Sequence, residues 1–156
     1  MLIEIPGRGT LELSTLVLDL NGTIAIDGTV IAGLAERVAQ LKTRGLEVYL
    51  LTADTRGNGA EIAAHLDIAL HRLAPGSERA QKAAFVRQQG ADQVAAIGNG
   101  ANDAEMLAQA GLGIAVLQAE GLAVETWAAA DLLVPDICSA LDLLIEPKRL
   151  IATLRH

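Results

Sequence analysis

Four short polar groups in this chain carry side chains suited to phosphate chemistry. Asp19 opens Asp19-Leu20-Asn21-Gly22-Thr23, directly after the apolar run Leu16-Val17-Leu18. A carboxylate held there can attack phosphorus and form an aspartyl phosphate, an established form of covalent catalysis. Gly22 lets backbone N–H groups come close to an anion. Thr52, in Thr52-Ala53-Asp54, follows a second apolar run and can donate its hydroxyl to a phosphoryl oxygen. Gly98-Asn99-Gly100-Ala101-Asn102-Asp103 sets two spaced glycines among three oxygen-bearing side chains. That is a donor set for a hard cation such as Mg²⁺, which is commonly held by one or two carboxylates plus water. Lys82 follows the Pro75-Gly76-Ser77 loop and can neutralise a phosphate or a phosphoaspartate.

Each group has a plainer reading when taken alone. Asp19 suits a turn or a cap, Thr52 a helix N-cap, Asp103 a helix start, and Lys82 a solvated helix face. What separates the two sets of readings is order and place, which depend on the elements that carry the four groups.

Those elements alternate. Leu2–Ile5 and Thr10–Leu13 read as a hairpin about Pro6-Gly7-Arg8-Gly9. Leu16–Leu20, Leu46–Leu51, Val94–Ile97 and Leu112–Val116 are short, nearly continuous apolar runs, the mark of strands buried in a parallel sheet. Weaker strands are expected near Ile68–Leu73 and Leu132–Val134. Leu34, Val38 and Leu41 recur at helical spacing before Gly45. Further helices are expected over 57–66, after Ser77 to Gln89, through Ala110, near Val124–Ala130, and from Asp136 onward. Residues 21–33 should form a loop with a small hairpin or flap, and the closing residues 146–156 a last helix or a docking arm. Strand–helix alternation predicts an α/β fold: a doubly wound, Rossmann-like, mostly parallel sheet with helices on both faces and an N-terminal β-hairpin. In such folds ligands bind at the carboxyl ends of the strands, which is where the three loop motifs fall.

Bulk properties narrow the function. The chain has 156 residues, enough for one domain, 1–156. It is 51% hydrophobic but only 2% aromatic, so the core must be aliphatic. Its net charge of −7 and the lack of any basic stretch argue against nucleic acid and anionic membrane as partners. The single cysteine, Cys138, fits a small buried residue in a reducing compartment. No apolar run approaches the ~18 residues of a membrane span. A cytoplasmic protein is expected. His65, His71 and His156 have no metal-ligand spacing, Asp27 and Glu105 read as turn and helix residues, Trp127 as core, and Asp54 as a residue that orients the site.

The ordered set Asp-Leu-Asn-Gly-Thr, Thr-Ala-Asp, a lysine and Gly-Asn-Gly-Ala-Asn-Asp-Ala-Glu-Met-Leu resembles the motifs of the haloacid dehalogenase (HAD) superfamily. It is most similar to the phosphorylation domain of P-type ATPases and to the soluble P-type ATPases, which are a lone HAD domain. The resemblance spans nearly the whole chain from Asp19. It implies an Mg²⁺-dependent phosphohydrolase with Asp19 as nucleophile and metal ligand. Asn21 would offer its backbone carbonyl to the metal, and Asn99 and Asp103 would complete the metal site. Thr52, Ala53, Gly22 and Lys82 would bind the phosphoryl group. The substrate would be a small phosphorylated molecule.

Two departures from the family pattern stand out. Asn21 occupies the place of a second Asp, the usual general acid and base. Such help is worth roughly 10²–10⁴-fold, so dephosphorylation should be slow and good leaving groups, such as acyl phosphates or nucleotides, favoured. Asn99 replaces a usual metal-binding Asp, which should weaken Mg²⁺ binding. Only 28 residues, 24–51, separate Thr23 from Thr52. The nucleotide-binding domain that transporters insert there is absent, which excludes ion pumping and leaves ATP without a seat. A cap domain is absent as well, so a homo-oligomer is expected, with a neighbouring subunit as lid and the apolar flap or the N-terminal hairpin at the interface. The alternative to an enzyme is a regulatory or binding protein that holds Mg²⁺ and phosphate with little turnover.

Overall fold

Aliphatic runs form the strands at the centre of the molecule, and the helices bury one apolar stripe each against them. The computed structural model describes residues 1–156. In chain order the elements are β1 (Leu2–Ile5), β2 (Gly9–Glu12), β3 (Thr15–Asp19), β4 (Ala25–Ile26), β5 (Thr29–Val30), α1 (Leu34–Thr43), β6 (Glu47–Thr52), α2 (Gly59–His65), β7 (Ala69–Arg72), α3 (Glu78–Gln88), β8 (Val94–Gly98), α4 (Ala104–Gln109), β9 (Leu112–Val116), α5 (Val124–Ala129), β10 (Leu132–Val134), α6 (Ile137–Ile145) and α7 (Pro147–Leu154).

Six of the strands form one parallel sheet in the order β10-β9-β8-β3-β6-β7. Every residue of β3, β8 and β9 is buried, as expected of strands covered on both faces. Alternate residues of each strand face opposite layers. Leu16 and Leu18 join the larger core with α1 and α6, while Val17 joins the smaller core with Phe85 and Val86 of α3 and Met106 of α4. The β1–β2 hairpin and α7 thicken the larger side, where Ile3, Ile5, Leu11, Leu150 and Leu154 are buried. The strand order departs from chain order at β3, which has β6 on one side and β8 on the other. That is a topological switch point, where such sheets open a crevice. Between β3 and α1 lies only the two-stranded β4–β5 flap, with no inserted domain.

The α/β expectation holds, hairpin included, and the closing residues form a helix. Two local expectations do not hold. Trp127 is 56% exposed, not core. The inward position of the short α5 belongs to Thr126, whose buried hydroxyl donates to the Gly100 carbonyl at 2.6 Å. One residue further along a helix turns a side chain by about 100°, which carries Trp127 out to solvent. Cys138 is half-buried beside the Ala32 carbonyl. In the flap Ile26 and Val30 stay half-buried. Ile24 and Ala25 are buried, as are Ile3 and Ile5 of the hairpin, and the exposed large apolar side chains are Leu2, Leu117, Val124, Trp127 and Leu133.

Candidate active site

Strand register brings the three motifs to one level. Asp19 pairs with Leu51, so Thr52 lies one residue beyond it on the next strand. On the other side Leu18 pairs with Ile97, which sets Gly98 level with Asp19. α3 then delivers the fourth group. Ser77 caps it by accepting from the Ala80 N–H at 3.3 Å, and Lys82 lies at the start of the second turn.

The four groups meet in a buried floor. Lys82 Nζ donates to Asp19 Oδ1 and Asp103 Oδ1, each at 2.6 Å. The lysine is 1% exposed and Asp103 fully buried. Asp103 Oδ2 accepts from the N–H groups of Asn99 at 3.0 Å and Gly100 at 2.9 Å, which folds the 98–103 loop around its carboxylate. Thr23, fully buried, has one hydroxyl proton to share between Asp19 Oδ2 at 3.2 Å and Asn99 Oδ1 at 3.1 Å. Two glycines are required by this packing. A Cβ on Gly22, which has φ 77°, would sit 2.3 Å from Asn99 Nδ2, and one on Gly98 would sit 2.5 Å from Asp103 Cγ.

One ammonium between two carboxylates leaves a net negative charge in a desolvated place. Burial alone would push the Lys82 ammonium toward deprotonation, but Asp19 and Asp103 reverse this and hold it charged, above its ordinary value. Burial and the neighbouring Asp19 push Asp103 up to about 6, against the pull of Lys82. The remaining negative charge and the oxygen-only donors suit a hard divalent cation. Asp19 and Asn21, which line the cleft, fit that group, and Asp103 backs it from the buried floor with Oδ1 on Lys82 and Oδ2 on two N–H groups. Asn99 fits it poorly. Its Oδ1 accepts from Thr23, its Nδ2 donates to the Gly121 carbonyl at 3.1 Å, and its carbonyl accepts from the Ala123 N–H. Both ends of the Asn99 amide therefore tie the 121–123 loop to the floor.

Above the floor opens a cleft of about 100 Å³ lined by Asp19, Asn21, Thr52, Ala53, Asp54, Thr55, Glu78 and Asn102. Thr52 is buried, and its Oγ1 accepts from the Asp54 N–H at 2.9 Å, so its proton is free to point into the cleft. Asp54 shapes this loop. Its backbone takes φ 55°, its Oδ1 accepts from the Gly59 N–H at 2.7 Å, and its Oδ2 lies 3.0 Å from Arg72. Gly22 lies beneath the cleft wall and does not line it.

Sequence reasoning missed four contributors. The Asp19–Thr23 motif gives Thr23 no role of its own, although a threonine four residues after a strand-end aspartate can fold back to it. Asn102 was visible in the third motif. Glu78, at the start of α3, and Gln118, which donates to the Gly22 carbonyl at 3.1 Å and to the Thr23 carbonyl, gave no local signal. His65, His71 and His156 are exposed and stand apart from the cleft.

Comparison with known proteins agrees with this arrangement. The family model described as haloacid dehalogenase-like hydrolase matches residues 4–111. A copper-exporting P-type ATPase of Staphylococcus aureus is 34% identical over 136 residues, covering 86% of this chain and 16% of that protein. This chain thus spans about a sixth of the length of the curated relatives it matches. Among solved structures, a HAD family hydrolase from Streptomyces avermitilis matches at 26% identity and TM-score 0.64, covering 80% of this chain and 76% of that one. A 3-deoxy-D-manno-octulosonate 8-phosphate phosphatase from Moraxella catarrhalis, solved with magnesium, phosphate and its sugar, shares the fold. Its TM-score is 0.71 at 18% identity, with 93% of this chain and 95% of that one covered. Motif order, the buried lysine at the switch point and a matching family model over most of the chain lead to one conclusion: this chain belongs to the haloacid dehalogenase-like hydrolase family.

Proposed function

We propose that residues 1–156 form one HAD-type domain that hydrolyses a phosphoric ester or anhydride through an aspartyl phosphate on Asp19, with Mg²⁺ as cofactor. The observation that carries this reading is the buried Lys82 bridging Asp19 and Asp103 at the floor of a polar cleft. Asp19 Oδ forms the new bond to phosphorus, and the bond from phosphorus to the leaving oxygen breaks. The Thr52 hydroxyl and the N–H of Ala53 hold phosphoryl oxygens. Lys82 pairs with the Asp19 carboxylate and offsets the charge of the phosphoenzyme. Asp19, Asp103 and the Asn21 carbonyl would hold the Mg²⁺, which when bound neutralises phosphate charge.

Asn21 faces the cleft where a proton carrier would work. An amide cannot give and retrieve a proton, so the second step, attack of water on the phosphoaspartate, is the slow one. The substrate is a small phosphorylated molecule. A test is hydrolysis of acetyl phosphate and p-nitrophenyl phosphate by the wild type and Asp19→Asn, with Mg²⁺ and with chelator. Turnover lost in both the variant and the chelator supports the reading. Wild-type turnover equal to that of Asp19→Asn would remove it.

The two asparagines also motivate a second reading. A protein with Asn21 in the cleft and Asn99 engaged by the Thr23 hydroxyl and the Gly121 carbonyl could hold Mg²⁺ and phosphate without turning over. Phosphate binding by calorimetry, with no hydrolysis across a broad phosphate panel, would favour it.

A further inference from the structure

The cleft has a chemical bias on the side away from the phosphoryl seat. All its lining side chains but Ala53 are polar, so it offers no apolar wall to an alkyl or aromatic leaving group. Its carboxylates are not equivalent. Asp19 is paired with Lys82, and Asp54 with Arg72 and the Gly59 N–H. Glu78 makes no ion pair. Its Oε2 accepts from Asn102 Nδ2 at 2.7 Å, while the adjacent Arg79 turns away to Glu125 at 2.6 Å and Glu105 at 3.6 Å.

Glu78 stands four residues before Lys82 on α3, on the same helix face and one turn nearer the mouth. Lys82 marks the depth of Asp19. Glu78 therefore faces what lies beyond the phosphoryl group, which is the leaving group. With the Asn102 nitrogen already engaged, the pair turns acceptors and one uncompensated negative charge toward it.

We infer that Glu78, braced by Asn102, selects phosphomonoesters whose leaving alcohol carries an ammonium or other hydrogen-bond donors, of the amino-alcohol type, and rejects anionic leaving groups, nucleoside diphosphates included. The inference rests on the phosphohydrolase reading above. It also fits Asn21. An ammonium next to the leaving oxygen lowers the pKa of that alcohol, which eases departure where no general acid helps.

Three two-carbon substrates of equal size and different charge test it: phosphoethanolamine, 2-hydroxyethyl phosphate and phosphoglycolate, with acetyl phosphate as the reference for turnover. For the wild type, kcat/KM should fall in that order, with about tenfold or more between the first and the last, the effect of one charge at close range in a partly screened site. Glu78→Gln should bring that ratio to within about twofold, while Glu105→Gln, a nearby charge outside the cleft, keeps it. Should Glu78→Gln fail to fold, the wild-type ratio must still shrink as salt is raised. A ratio that survives Glu78→Gln or high salt, or a wild type that prefers phosphoglycolate, overturns the inference alone. Absence of turnover on all four compounds removes it together with the reading it rests on.

Discussion

The floor and the rim of the cleft are built by opposite rules. On the floor, Asp19, Lys82, Asp103 and Thr23 are buried, and each polar group meets a named partner at 2.6–3.2 Å. On the rim, Asn21, Glu78 and Asn102 are half-buried, Thr55 is exposed, and Glu78 has no countercharge. The floor is fixed by strand ends and one helix, so its geometry is shared by any substrate it serves. The rim hangs on loops and on the first turn of α3, so it can change without disturbing the floor. In the proposed reading the floor and Asn21 carry the phosphoryl chemistry, and the Glu78–Asn102 side of the rim carries the choice of substrate.

Variants should divide along the same line. The largest loss is expected for Asp19→Asn, about 10³-fold or more in kcat, because a nucleophile has no substitute. Steady-state hydrolysis of acetyl phosphate measures it, and residual activity near the wild type would break the division. Lys82→Ala leaves two buried carboxylates without a counterion and should lower stability by about 3–5 kcal/mol in metal-free urea titrations. The same titration on Glu78→Ala should move by less than about 0.5 kcal/mol. Equal costs at the two positions would contradict the comparison.

Smaller effects sharpen it. Asn21→Asp restores a proton carrier and should speed decay of the phosphoenzyme by up to about 10²-fold, read in single-turnover quench experiments. An unchanged decay would show that proton transfer does not limit that step. Asn99→Asp inverts the family expectation. A carboxylate there cannot donate to the Gly121 carbonyl, so it should cost about 1–3 kcal/mol in the absence of metal. A variant of unchanged stability, binding Mg²⁺ more tightly, would return Asn99 to the role of metal ligand.

The floor was legible because its parts obey local rules. Short apolar runs that lead into Asp19, Thr52 and Gly98 announce buried strands and the loops at their ends. Lys82 was the weakest of these signals. Its burial follows from being on the inner face of α3 opposite Asp19, which spacing alone cannot reveal. The rim was less legible. Glu78 reads as an ordinary acidic residue in a first helical turn, and Gln118 as a polar residue of a loop. Their roles arise from contacts across 24 residues, Asn102 to Glu78, and 96 residues, Gln118 to Gly22. Trp127 misled for a related reason, since its size suggested the core while the neighbouring Thr126 had a hydrogen bond to make there.

In the proposed reading a carboxylate oxygen of Asp19 carries the phosphoryl group. The most direct measurement is to quench the Mg²⁺-loaded protein in acid after brief exposure to radiolabelled acetyl phosphate, digest it, and map the label. The account predicts an acyl phosphate, stable in acid and released by hydroxylamine, on the peptide that contains Asp19. It should be absent from Asp19→Asn and longer-lived in the wild type than in Asn21→Asp. Label on any other residue, or hydrolysis that proceeds in Asp19→Asn, would contradict it.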